Sequence, residues 1–307
     1  NCYKVEWQLS PLNLKNKPSQ GERWLIFNDN QVVGKALATT LNDAYVLVSS
    51  GQTYQKLVSG HYQINPNNVN KVIDKVGEMI DEGVDMIDFG AQSTKPGASD
   101  ISVHEELDRL LPTIENVVKY FPNLYVSVDT FRSDVAKKVL ELGVGIINDV
   151  FGGKYDENMY NVVLEHQCIY IAMHIQGTPE NMQNNPFYNN VTLEVTQQLS
   201  EIKFNLFSKG FNNLVIDPGF GFGKTLEHNY ELMNNLNHLQ LLDVPILVGI
   251  SRKSMIYKLL QNTPKDALNG TTTLNTVALL KGANILRVHD VKEAVEVKKI
   301  VSQLFNY

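Results

Sequence analysis

The chain has 307 residues, 43% of them hydrophobic and 20% charged, with a formal net charge of −6. That length suits one large domain or two ordinary ones with a full core, and the mildly acidic, interspersed charge argues against a nucleic-acid surface. No run approaches the roughly 20 apolar residues of a membrane span, the start NCYKVEWQLS lacks the pattern of a secretion signal, and the distant pair Cys2 and Cys168 suggests neither disulfides nor a zinc cluster, as in a reducing cytoplasm.

From about Pro66 onward a rhythm repeats. Amphipathic NVNKVIDKVGEMIDEG leads into the apolar run MIDFG (86–90), and VHEELDRLLPTIENVVKYF leads into LYVSVDT (124–130). SDVAKKVLELG precedes GIINDV (145–150), which is followed by IYIAMH (169–174) and LVIDPG (214–219). KTLEHNYELMNNLNHLQ then precedes PILVGISRK (245–253), and ILRVHD (285–290) comes last. Near-continuous apolar runs alternating with helical patterns predict a parallel sheet covered by helices. Seven such units point to a (β/α)8 barrel with one strand still to find, with a doubly wound open sheet as the competitor.

Polar residues gather where these runs end: Asp88, Asp129, Asn148, His174, Asp217, Ser251, Lys253, Arg287 and His289. In a barrel, strand C-termini converge on the mouth that carries the active site. Singly, each residue has a structural explanation as a turn, a cap or a satisfied core group. Together they put carboxylates and an amide on some strand ends and cations on others.

The most unusual stretch is LVIDPGFGFGKT (214–225). Its glycines allow backbone to approach a ligand closely. Phe220 and Phe222 can wall a flat ring, and Lys224 opens the next helix. A carboxylate such as Asp217 in a half-buried mouth needs a partner, and the two parallel N–H donors of an amidine-like heterocycle edge would satisfy it bidentately. Arg252 and Lys253 in GISRKS, Arg287 and His289 in LRVHDV, and Lys95 beside Thr94 in QSTKPG supply the charges and hydroxyls that a diphosphate needs.

From about residue 66 to the C-terminus, the stretches MIDFGAQSTKPGA, YVSVDTFRSDVA, GIINDVFGG, AMHIQGTPENMQ, VIDPGFGFGKTLEHN, LVGISRKSMI, ALNGTTTLNTVALLKGA and LRVHDVKEAV resemble the dihydropteroate synthase family in order and spacing. The resemblance implies a TIM barrel that forms homodimers. It implies a transferase of folate biosynthesis and sulfonamide target, joining 6-hydroxymethyl-7,8-dihydropterin diphosphate to p-aminobenzoate with Mg2+ assisting. By the same resemblance, Asp129, Asn148, Asp217 and Lys253 would hold the pterin, with Met173 against its ring. Thr94, Arg287 and His289 would hold the diphosphate, and Lys95, Pro96, Phe222, Lys253 and Ser254 would line the p-aminobenzoate site. Asp129, Asp217, Lys253 and Arg287 are the expected catalytic set.

The family's first loop, of the form NVTPDSF, has no counterpart. Residues 45–66 read YVLVSSGQTYQKLVSGHYQINP, so the loop's metal-holding Asn falls near Ser50 and its Asp near Tyr54, and neither can do the same job. No metal ligand is therefore matched. Lys95 stands where the family has Arg, and Ala91 where it has Gly. Residues 1–65 resemble instead the opening of the ketoreductase region of modular polyketide synthases, where WLIF and YVLV are strands flanking a helix. The expected organisation is an atypical β-α-β segment at 1–65, whose YVLVSS could supply the first barrel strand, followed by a pterin-binding barrel at 66–307. A junction near Pro66 between unrelated pieces is an equal alternative. Three rival readings stand beside the synthase: a pterin-binding barrel without turnover, a docking piece of a larger assembly, and, distantly, a corrinoid-linked methyltransferase.

Overall fold

The computed structural model describes residues 24–28, 45–50, 55–58, 61–64, 69–91, 101–178, 181, 182 and 184–305. The chain divides into two compact units, Asn1–Lys71 and Val72–Tyr307. In the first, strands β1 (Trp24–Asn28), β2 (Tyr45–Ser50), β3 (Gln55–Val58) and β4 (His61–Ile64) form one sheet in the order β1-β2-β4-β3. β2 runs parallel to both β1 and β4, and β3 turns back antiparallel on β4. β2 is the segment read as a possible first barrel strand, and both of its edges are occupied by β1 and β4. Residues 29–44, where a helix is expected, lie outside the described residues.

Helices and strands then alternate through the second unit. They are α1 (Val69–Asp81), β5 (Met86–Phe89), α2 (Val103–Tyr120), β6 (Tyr125–Asp129), α3 (Ser133–Glu141), β7 (Ile146–Asp149), α4 (Met159–His166) and β8 (Ile169–Met173). There follow α5 (Val191–Phe207), β9 (Leu214–Asp217), α6 (Leu226–Asn234), β10 (Leu247–Val248), α7 (Ser254–Tyr257), α8 (Leu268–Leu280), β11 (Ile285–Leu286) and α9 (Val291–Phe305). β5 to β9 pair in parallel in chain order, a bridge from Ile216 to Ile246 carries the order on to β10, and β10 pairs in parallel with β11. All seven predicted apolar runs thus contain strands, in barrel order. This is the (β/α)8 TIM-barrel architecture.

The packing follows the two-residue alternation of a strand. Val126, Val128, Ile147, Tyr170, Ala172, Leu214, Ile216 and Val248 join one cluster with the helices. The residues between them point the other way: Ile146, Ile171, Val215 and Leu247 pack together with Met86 and Ile285 as an inner layer drawn from six strands. Each fully buried Ile or Val of this kind contributes about 1.5–3 kcal/mol.

Some helix starts are locally encoded. Ser102 Oγ accepts from Glu105 N at 3.1 Å, capping α2 and leaving Glu106, Leu110, Ile114 and Val117 as its buried stripe. Glu106 pairs there with Arg132, which precedes α3, so the buried charge is compensated. Thr225 caps α6 reciprocally with His228.

Candidate active site

The inner layer locates the site by arithmetic. Two residues beyond Met86, Ile146, Ile171, Val215 and Ile285 stand Asp88, Asn148, Met173, Asp217 and Arg287. Asp129 stands two beyond Ser127 on β6. Strand alternation therefore gives these residues the same parity as the inner layer, one step nearer the C-terminal mouth.

The loop after β9 is held from within. Asp217 Oδ1 accepts from Gly219 N at 2.7 Å. Gly219 has φ +68°, and a Cβ there would overlap the carbonyl oxygen of His174. Lys224 folds back into the loop and donates to the carbonyls of Gly219 at 2.9 Å and Phe222 at 3.1 Å. Its Nζ also lies 2.9 Å from His174 Nδ1. Burial pushes the Lys224 ammonium down to about 7 and, with Lys224 beside it, the His174 imidazole down to about 2. His174 is thus a neutral buried acceptor. Phe220 is fully buried in the main core and walls no ligand, whereas Phe222 is half-buried against Met173, Phe131, Phe151 and Met182.

The two cations of SRK separate. Arg252 has φ +54° and grips Asp290 with Nε and Nη2, each at 2.9 Å, while Nη1 donates to the carbonyls of Pro264 and Lys265. The expectation that Arg252 joins the anion-binding set is therefore corrected, because its donors are committed elsewhere. Lys253 Nζ instead donates to Phe220 O at 2.6 Å and lies 4.7 Å from the centre of the Phe222 ring. Burial pushes it down to about 8, against the pull of Asp217. Arg287 and Asp129 also act on it, which places these four charges in one electrostatic neighbourhood. Ser254 begins α7 directly after Lys253.

Arg287 reaches across the mouth to two carboxylates, Asp88 through Nε at 2.8 Å and Asp129 through Nη2 at 3.2 Å. Burial, reinforced by the charge of Asp88, raises the Asp129 carboxyl, and Arg287 opposes the rise. Burial likewise raises Asp217, with Lys253 opposing. His289 is exposed, with Nδ1 3.0 Å from Ser251 Oγ. Asp149, also buried and pushed up to about 6, takes hydrogen bonds from Phe151 N, Gly153 N and Tyr170 Oη and so shapes its own loop. Thr94, Lys95 and Pro96 lie outside the described residues, as does Tyr54. The structure thus brings together Asp129, Asn148, Met173, Asp217, Phe222, Lys253 and Arg287. It adds Asp88, whose position at a strand end was its only signal in the sequence. A cavity of about 360 Å³ opens just beyond β8, lined by Lys154, His174, Gln176, Glu194 and Glu201 among others, and holds none of the strand-end carboxylates.

Among the described residues no three His, Cys, Asp or Glu side chains cluster as a metal would require. Asp88 and Asp129 are engaged by Arg287. These residues do not fit a protein-made Mg2+ site. An ion carried on a substrate's phosphates is the usual alternative.

Fold and site together define a (β/α)8-barrel enzyme whose mouth suits a ligand with hydrogen-bond donors on one side and anionic oxygens on the other. A family model described as pterin binding enzyme matches residues 60–289. The dihydropteroate synthase of Escherichia coli K12 is 39% identical over 237 residues, spanning 76% of this chain and 83% of that protein. A Yersinia pestis dihydropteroate synthase, solved as a sulfonamide drug complex, superposes with a TM-score of 0.76 at 35% identity, covering 78% of this chain and 88% of its own. The Xanthomonas albilineans enzyme, solved with 4-aminobenzoic acid, gives 0.73 at 34%, covering 78% and 86%. The chain belongs to the dihydropteroate synthase family of pterin-binding enzymes, which are transferases. These relatives lend no support to a likeness between residues 1–65 and a polyketide synthase ketoreductase region.

Proposed function

We propose that the mouth described above condenses 6-hydroxymethyl-7,8-dihydropterin diphosphate with p-aminobenzoate, giving dihydropteroate and pyrophosphate. The observation that carries this reading is the shared neighbourhood of Asp129 and Asp217 at the ends of β6 and β9 with Lys253 and Arg287 beyond β10 and β11. Asp217 takes the amidine-like edge of the pterin, and Asn148 and Asp129 take neighbouring donors. Met173 and Phe222 supply apolar walls to the pterin and p-aminobenzoate sides. As the carbon–oxygen bond to diphosphate breaks, positive charge develops on the dihydropterin, and fixed carboxylates stabilise it. Arg287, His289 and Thr94 take the leaving diphosphate. Lys95, Pro96, Lys253 and Ser254 flank the arylamine, whose alignment with the pterin methylene makes attack effectively intramolecular. Mg2+, where it takes part, enters with the diphosphate.

Residues 1–65 are proposed as a separate segment ahead of the barrel. The exposed Ile300, Leu304 and Phe305 of α9 support a homodimer, since apolar patches of this kind mark interfaces. No described helix is long and apolar enough to cross a membrane. A cytoplasmic location is the reading that goes with a folate-pathway transferase.

The missing first-loop motif favours one rival, a barrel that binds pterin without turnover. The test is pyrophosphate release from the dihydropterin diphosphate with p-aminobenzoate and Mg2+, beside an Asp217→Ala control. Release that needs the arylamine and disappears in the control supports the synthase. Pterin binding by calorimetry with no release supports the rival.

A further inference from the structure

Asp88 has no role in the reading so far, yet it holds three side-chain donors at the mouth. Ser127 Oγ, on β6, donates to its Oδ1 at 2.7 Å. Asn148 Nδ2, on β7, and Arg287 Nε, beyond β11, both donate to Oδ2, at 2.9 and 2.8 Å. One carboxylate thus gathers donors from three other strand ends, and it lies in the same layer as the residues assigned to the pterin.

A carboxylate has no proton to give, so each partner must turn a donor toward it. For Asn148 this decides which way the amide faces. Its NH2 is committed to Asp88, which leaves Oδ1 as the open group, and that oxygen makes no hydrogen bond among the described residues although Asn148 is only 5% exposed. That oxygen is not shut off from solvent, so it stays open to a ligand or to water at the mouth. For Arg287, Nε goes to Asp88 and Nη2 to Asp129, while Nη1 has no partner among the described residues. The guanidinium is planar and rigid, so fixing two of its nitrogens fixes the direction of the third.

We infer that Asp88 is a positioning residue of the pterin diphosphate site, holding Asn148 as a hydrogen-bond acceptor for the pterin and aiming Arg287 at the diphosphate. This rests on the assignment of Asn148 and Arg287 to that substrate. The competing role is structural, a rim ion pair that ties strand ends together and acts on both substrates alike.

The test is a double-mutant cycle in the full chain with Asp88→Asn, Asn148→Ala and both together. It reads the KM of each substrate and the thermal midpoint. Asp88→Asn should raise the KM for the dihydropterin diphosphate about tenfold and leave that for p-aminobenzoate within about twofold. In the Asn148→Ala background the same change should cost at least about threefold less, because part of its effect is already gone. Additive effects, or equal rises in both KM values with a lowered midpoint, overturn the inference in favour of the structural role. Should Asp88→Asn not fold, Asp88→Glu keeps the charge but displaces it, and the same split is expected. Without turnover, the cycle is read as the Kd of the dihydropterin diphosphate by calorimetry. If Asp217→Ala leaves that Kd unchanged, the assignment of the pocket fails. If Asp217→Ala weakens binding and Asp88→Asn does not, only the role of Asp88 fails.

Discussion

Lys224 Nζ and His174 Nδ1 stand 2.9 Å apart, with both side chains buried. The imidazole is the acceptor in this contact, so protonating it would set two cations against each other in a dry site. Its proton affinity is lowered from the ordinary 6.5 to about 2 by burial and by Lys224. Between those values the unfolded chain binds a proton that the native chain refuses, so stability falls as pH drops below 6.5. His174→Gln keeps an acceptor and removes the titration. Between about pH 6 and pH 4, the slope of unfolding free energy against pH should fall by about 1.4 kcal/mol per pH unit. Urea denaturation across that range checks it, and an unchanged slope would assign the acid sensitivity to other groups.

Two glycines of one loop should behave differently. Gly219 and Gly221 both have positive φ, +68° and +81°. A Cβ on Gly219 would overlap the His174 carbonyl, whereas one on Gly221 meets Lys253 Cδ at 3.4 Å, an ordinary contact. Gly221→Ala should cost about 1–2 kcal/mol of backbone strain and keep a measurable Kd for the pterin. Gly219→Ala should abolish pterin binding or folding. Equal behaviour in calorimetry and thermal melts would show that the loop relaxes around either change.

Lys253 makes a prediction about the alkaline side. Its ammonium, pushed down to about 8, is charged below that pH and neutral above it. If the charge serves turnover, kcat/KM falls as pH rises through about 8. In Lys253→Arg the guanidinium stays charged, so the alkaline limb should move up by at least about one unit, at a rate reduced about tenfold by lost fit. A limb that stays put belongs to another group.

Lys95 carries charge without a planar fork. Lys95→Arg should lower the KM for the dihydropterin diphosphate or for p-aminobenzoate. Steady-state kinetics with each substrate varied in turn decides it, and two unchanged KM values end the idea.

The sequence made the barrel legible because its strands are buried on both faces and α2, α5 and α6 carry their own caps. Even β10 and β11, only two residues each, lie inside the apolar runs 245–253 and 285–290. The strand-end pocket was legible through Asp129, Asn148, Asp217 and Arg287, since alternation fixes their side of the strand. Partnership was not legible. Nothing in SRK distinguishes an arginine tied to Asp290 from a lysine turned to the mouth, because the distinction depends on residues 38 and 33 positions away. Asp88 stood among the strand-end residues, but its role was not legible for the same reason: its partners come from three other units of the chain.

The left-handed turn at Arg252 divides the tasks of two adjacent cations. Position 252 never enters the pocket, yet the backbone it bends delivers position 253 to it. Two neighbouring residues therefore answer to different physical demands, one to the shape of a corner and the other to the charge of the mouth. A replacement at 252 that keeps the positive sign but not the fork on Asp290 would preserve the written charge of the motif and lose its meaning.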